Sequence, residues 1–207
     1  MLKIRKHANL CIIFKTNKLN RKFQTSSRKI KFCAFQKAAK QSNLKAMQYK
    51  EIRRKDRIWN SEESDELLSN AEYGFLAFAD ENSGYGIPIS YAREENKLYF
   101  HCAPEGRKLE ALKNCANVSF AVVGKTRVRP NEFTTSYQSV IAQGKISQVF
   151  EEEEKRKALR LLLKKYSKGF EDIGEKYIDS SIGRTAVLRL DIEFVSAKTK
   201  GEKKMQK

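Results

Sequence analysis

Apolar positions begin to repeat in an orderly way only after about residue 60. Asn60-Ser61-Glu62-Glu63 precedes Leu67 and Leu68, which predicts a capping box and a short helix over residues 61–71. The aromatic-rich run Tyr73–Ala79 reads as a first strand, closed by the turn cluster Asp80–Gly84. Gly86–Tyr91 reads as a second strand, and Leu98–Cys102 as a third after the turn Arg93–Asn96. Pro88 has no N–H to give a sheet ladder, so the second strand must run at an edge or carry a bulge.

After Cys102 the spacing changes. Leu109, Leu112 and Cys115 stand three residues apart, which predicts a short helix entered through Pro104 and Gly106. Val118–Val123 and Ser139–Gly144 read as strands, the second with room to continue to Phe150, and a polar loop over residues 125–134 lies between them. Glu151–Glu154 opens the clearest helix. Glu151–Lys155, Glu152–Arg156 and Glu153–Lys157 are favourable pairs, Leu159, Leu162, Leu163 and Tyr166 give a buried stripe, and Gly169 marks the stop. Thr185–Val195 alternates as the last strand. Six strands, three short helices and tight hairpins joining the first three strands predict a mainly β fold, an antiparallel barrel or sandwich with helices between strands.

The whole chain of 207 residues carries a net charge of +17. Residues 1–47 hold 13 Lys and Arg and no acid, whereas residues 58–197 hold 19 bases against 22 acids. The basic excess therefore sits at the ends, and a basic folded domain is excluded. Three readings fit the head: a transit peptide, a nucleic-acid-binding arm, or an upstream start called in error, with Met47 as the native first residue. Lys predominates over Arg, which disfavours the transit peptide, and no aromatic stacking platform supports the arm. The mis-called start fits best. Nucleic-acid binding through the head ranks last. The expected organisation is a basic head at 1–47, a folded domain at 48–197 and a basic tail at 198–207. No run of apolar residues is long enough to span a membrane, so no membrane partner is expected, and the unpaired cysteines read as reduced thiols of a cytoplasmic protein.

Cys11, Cys33, Cys102 and Cys115 have neither disulfide-framework nor zinc-site spacing, and no metal site is expected. No nucleophile–base–orienter set is visible, since the body has one histidine, His101. One arrangement could bind an anion. A strand ending in His101-Cys102 passes through a Pro/Gly turn to Arg107-Lys108 in the first turn of a helix, where backbone N–H groups and cations converge. On spacing alone, solvated helix charges are the stronger reading of Arg107 and Lys108, and a packed or half-exposed strand side chain that of His101.

The runs Arg53–Arg57, Ala71–Ala77, Gly84–Tyr91, Leu98–Leu109 and Tyr137–Ile141 resemble the nitroimidazole-resistance family, within the pyridoxamine 5′-phosphate oxidase-like, FMN-binding split β-barrels. The resemblance covers residues 50–197 and is most specific over His101–Leu109. It implies a six-stranded antiparallel split β-barrel and a homodimer with FMN at the subunit interface. Pro88, Ile89 and Ser90 would line the flavin. His101 and Cys102 would lie beside the ribityl chain and ring, Arg107 and Lys108 would hold the phosphate, and Ser139 would touch the cofactor from the other side. His101 would also be the polar group nearest the chemistry, as hydrogen-bond donor or proton relay. The implied activity is FMN-dependent oxidoreduction, from a small-molecule electron donor to a small acceptor such as a nitroaromatic. A flavin- or haem-binding module without turnover is the alternative. Cys102 replaces a small hydroxyl residue common in relatives, and Ser196-Ala197-Lys198 stands where many have Gly-Lys. The Arg- and His-containing C-terminal segment of true pyridoxamine-phosphate oxidases is missing, so vitamin B6 oxidation is not implied.

Overall fold

A computed structural model describes residues 50–59, 61–79 and 83–201. The chain divides into two units between Lys50 and Glu51, and every element described belongs to the second. The basic head, the Asn60 cap and the Asp80–Asn82 part of the first turn lie outside the described residues.

The order is α1 (Ser61–Asn70), β1 (Gly74–Ala79), β2 (Gly84–Ile89), β3 (Ala92–Glu94), β4 (Lys97–Cys102), α2 (Arg107–Asn114), β5 (Asn117–Arg129), β6 (Thr134–Val149), α3 (Glu152–Tyr166), α4 (Glu171–Ser181) and β7 (Ala186–Lys200). The fold is mainly β with short helices, as the pattern predicts. The seven strands form one antiparallel sheet in the order β2-β1-β5-β6-β7-β4-β3. β2 and β3 are its edges, so the sheet does not close, and Pro88 has the edge position it requires.

The connection between those edges shapes the molecule. Ile89 ends β2 at one edge and Ala92 begins β3 at the other. Three Cα steps span at most roughly 11 Å. Two opposite edges can be that close only if the sheet curls into a barrel with a split. Tyr91 plugs the split. It is fully buried, its ring meets Phe120 at 4.7 Å, and Phe120 meets Phe100 at 5.3 Å, both edge-to-face. Leu68 of α1 and Leu109 of α2 pack into this main core. A second, smaller cluster holds α3 to the other face of the sheet, with Ala158 against Tyr99, Val149 and Val187.

The structure departs from the sequence reading in several places. There are seven strands, because Ala92–Glu94 pairs with β4 across a turn that Glu95 closes at φ 51°. The second and third expected strands are not hairpin partners, since the chain crosses the split between them. The expected loop at 125–134 is mostly a continued β5–β6 hairpin. Its residues are exposed on both faces, so the apolar alternation that marks a strand is absent there. The hairpin is closed by a short 3-10 turn, Pro130–Glu132, and by Phe133 at φ 50°.

Two corrections concern the helices. α4 escapes the pattern because Gly174 sits in its middle, where glycine reads as a breaker. Its role there is close approach, because a Cβ at Gly174 would strike the Leu163 side chain. Of the three expected charge pairs on α3, only Glu152–Arg156 forms, at 3.4 Å. Glu151 instead caps the helix by accepting from the backbone N–H of Glu153 and Glu154. Lys155 donates to the Ile182 carbonyl, and Lys157 pairs with Glu94 at 2.7 Å. Tertiary partners thus outcompete the weak in-helix pairs. The buried stripe of α3 is also narrower than expected. Leu162 is buried, Leu159 and Leu163 are half-buried, and Tyr166 keeps an exposed edge while its hydroxyl donates toward the Glu72 and Tyr91 carbonyls.

Candidate functional site

The most sharply built region is the junction of β4 and α2. The chain leaves β4 at Cys102 and turns into α2 through Gly106, which holds φ 120°. Only glycine adopts that backbone without strain. Gly106 is also the N-cap, and no side chain caps the helix start. Leu109 and Ala111 anchor α2 in the core, so the uncapped first turn is fixed in place.

Arg107 and Lys108 occupy that turn and point to two different strands. Arg107 lays its guanidinium over the Tyr85 ring of β2, 4.4 Å from the centroid, and donates from Nη2 to Ser83 Oγ at 3.3 Å. Tyr85 is itself stacked on Phe78 of β1 at 5.8 Å. Lys108 lies near Cys102. Burial pushes the Cys102 thiol up, and the Lys108 charge partly offsets this, so the thiol is protonated at neutral pH. The first turn of α2 therefore ties the ends of β2 and β4 together and puts one cation beside each. Tyr85 and Ser83 are the positioning residues that the sequence does not reveal. The sequence assigns neither of them a role, and only the fold sets them beside Arg107.

The remaining expected residues divide between the two faces of the sheet. His101 and Cys102 are neighbours on a strand and so point to opposite sides. Cys102 packs against the main core, in register with Ala186. His101 lies in register with Val187, on the side of β4 that carries Tyr99. Its ring keeps an exposed edge, yet the surrounding protein pushes the imidazole below its ordinary value, so it is neutral at pH 7. Ile89 packs inward against the core, and Ser90 is half-buried in the connection across the split.

Pro88 faces outward. It stands opposite Phe75, which stands opposite Ala121, which stands opposite Ile141. One rung along, Ser139 lies between Val123 and Lys198. Phe75, Val123 and Ile141 are 48%, 57% and 39% exposed, so these rungs form a bare apolar surface on the outside of the sheet. Pro88 and Ser139 both belong to it. The described residues thus offer a cationic helix start at α2 and, on the outer face of the sheet, a separate apolar platform.

No curated protein matches the chain. Many solved structures share the fold, among them the following. A candidate 5-nitroimidazole antibiotic resistance protein from Bacteroides thetaiotaomicron is 23% identical, with a TM-score of 0.56, over 69% of this chain and 85% of that one. The flavocytochrome Anf3 from Azotobacter vinelandii is 20% identical, with a TM-score of 0.61, over 70% of each chain. An FAD and heme binding protein from Mycobacterium smegmatis is 20% identical, with a TM-score of 0.62, over 70% of this chain and 74% of that one. The family model described as pyridoxamine 5′-phosphate oxidase matches residues 60–199, from the start of α1 almost to the end of β7. The chain therefore belongs to the pyridoxamine 5′-phosphate oxidase-like family of split-barrel proteins.

Proposed function

We propose that this protein binds FMN and uses it to pass electrons from a reduced donor to a small acceptor, as the nitroimidazole-resistance type does. The observation that carries this reading is the uncapped first turn of α2. Gly106, Arg107 and Lys108 put backbone N–H groups and two cations beside β2 and β4. A phosphate dianion needs donors that stay charged, and Arg and Lys supply them. The apolar rungs around Phe75, Pro88 and Ile141 suit the flat face of a tricyclic ring. The flavin, when bound, supplies the redox chemistry, and the protein supplies binding and orientation.

The remaining assignments follow. Lys108 and Arg107 hold the phosphate, with Arg107 kept in place by Tyr85 and Ser83. Pro88 and Ser139 border the ring on the outer face, with Ser90 beside the split, while Ile89 packs inward and supports the strand beneath. Cys102 offers a neutral thiol near the phosphate end. His101, neutral at pH 7, can donate one N–H to a polar atom of the cofactor or substrate. A second copy of the chain covers the bare outer face, giving a homodimer with the cofactor at the interface. FAD- and haem-binding neighbours with the same fold keep flavin more general than FMN, and a module that binds without turnover, as rival readings.

The test is titration of the purified protein with FMN, followed by fluorescence, then by reduction with NAD(P)H and reoxidation by a nitro compound. Quenching on binding, bleaching on reduction and recovery with the acceptor are expected. Unchanged fluorescence refutes FMN binding. A bound flavin that is never reduced leaves the module reading.

A further inference from the structure

The outer face of the sheet changes character along β6. Ile141, Ser139 and Tyr137 alternate onto that face, and their partners on β7 are Ser196, Lys198 and Lys200. Ile141 belongs to the apolar rungs, and at Ser139 those rungs meet cations. Ser139 stands between the exposed Val123 and Lys198. Lys198 is also a diagonal neighbour of Tyr137, roughly 7–8 Å away. It is half-buried, so part of its side chain is accessible, and it has no ion pair among the described residues.

The chain before α1 brings a second cation to the same place. A 3-10 turn, Lys55–Arg57, runs beside the end of β7. The bridge between Ile58 and Lys198 holds it there, as does the Trp59 N–H, which donates to the Ala197 carbonyl at 3.2 Å. Arg57 reaches over to Tyr137 and donates from Nη1 to its hydroxyl at 3.4 Å. Its side chain keeps 24% of its surface exposed. Asp56 lies 3.8 Å from Nε, but both oxygens of that carboxylate already accept from Arg54, at 2.8 and 2.7 Å. A guanidinium has five N–H donors, and these contacts leave most of them without an acceptor. Lys200 is engaged, since it donates to the Thr134 hydroxyl.

We propose that the small molecule admitted to the flavin at this face carries an oxyanion, a carboxylate or a phosphate, which Arg57 and Lys198 bind while its body lies on the apolar rungs at Val123 and Ile141. The inference rests on the flavin reading for what the ligand meets there, but the cations and the rungs are present without it. An oxyanion gives the Arg57 fork and the Lys198 ammonium charge-assisted bonds that a neutral molecule cannot give. The Tyr137 hydroxyl accepts from Arg57 and keeps its own O–H to donate to the ligand. A cationic ligand would meet two like charges at this point. Arg57 and Lys198 thus select the substrate by charge, and the rungs accept its apolar part.

The experiment is calorimetric titration of the full chain, with FMN present, using probes that share one ring: 4-nitrobenzoate, 4-nitrophenyl phosphate and 4-nitrobenzyl alcohol. Saturable binding of at least one anion is expected, about tenfold or more tighter than the alcohol, and the tighter anion identifies the headgroup. Lys198→Met and Arg57→Gln should each weaken that anion about tenfold and leave the alcohol within about twofold. Lys164→Met, at an exposed position on α3, should change neither. The proposal is overturned if neither anion saturates at millimolar concentration, if the alcohol binds as tightly, or if Lys198→Met binds the anions as well as the parent. Should Arg57→Gln fail to fold, Lys198→Met decides the matter. FMN uptake is followed separately by fluorescence. A chain that takes up no FMN refutes the flavin reading, and the same titrations on it still test the anion site, because Lys198 is not part of the turn at α2.

Discussion

The Arg107 guanidinium rests on the Tyr85 ring at 4.4 Å and so joins the first turn of α2 to an edge strand of the sheet. A phosphate-binding arginine held this way is pre-oriented, and less freedom is lost when an anion arrives. Tyr85→Leu should therefore weaken FMN by only a few-fold, in line with about 0.5–1 kcal/mol for an exposed cation–π contact. Lys108→Ala should cost about tenfold or more, the loss of one charge-assisted contact. Arg107→Lys should lose the stacking and the fork while keeping the charge. Fluorescence titrations measure all three, and equal affinity in Lys108→Ala refutes its phosphate role.

Gly106 meets no atom that an added Cβ would strike, so Gly106→Ala tests backbone strain alone. At φ 120° an alanine costs about 1–3 kcal/mol. The urea midpoint should fall accordingly. FMN affinity should fall as well, because relief of the strain moves the first turn of α2.

Tyr99 is fully buried and donates its hydroxyl to Glu154 at 3.0 Å, while Arg189 donates to both oxygens of the same carboxylate at 2.9 and 3.1 Å. This network seats α3 on β4 and β7. Tyr99→Phe should cost about 1 kcal/mol, and Glu154→Leu more, since it strands two donors. Thermal or urea unfolding measures both, and a smaller loss for Glu154→Leu contradicts the network.

Burial pushes the Lys165 ammonium down to about 8 from its ordinary 10.5. Between those values the unfolded chain binds more protons than the folded one, so stability rises with pH across that window. Below about 8 both states are protonated and the folded state carries the full penalty. Asp65 on α1, Arg93 and Glu95 on and beside β3, and Lys164 on α3 line the adjacent groove, with the Tyr91 and Tyr166 rings against Nζ. Lys165→Met should remove the rise in urea midpoint above pH 8 and stabilise the protein at neutral pH. A parallel profile in the variant refutes the buried ammonium.

Much of this architecture is legible in the sequence where local rules act alone. Aromatic richness and a closing turn mark β1, alternation marks β7, Pro88 marks an edge or a bulge, and the acid-first, base-last order of α3 marks its polarity. The signals fail where a residue answers to a distant partner. Gly174 looks like a breaker until Leu163 is seen to need its space, and the β5–β6 hairpin looks like a loop because no core lies beneath either of its faces. The anion site is half visible. The turn Gly106-Arg107-Lys108 can be read along the chain, while Tyr85 and Ser83, more than twenty residues away, cannot.

The sequence by itself determined the periodic elements, the edge position of Pro88, the helix start at Arg107 and the near-neutral charge of the body between basic ends. Each depends on neighbours within a turn or a strand. Only the tertiary structure decided the curl of the sheet, the split plugged by Tyr91, which of His101 and Cys102 faces the main core, and the buried Lys165. These depend on which strands become neighbours. A two-residue link between opposite sheet edges fixes that outcome only once the whole core has packed around it.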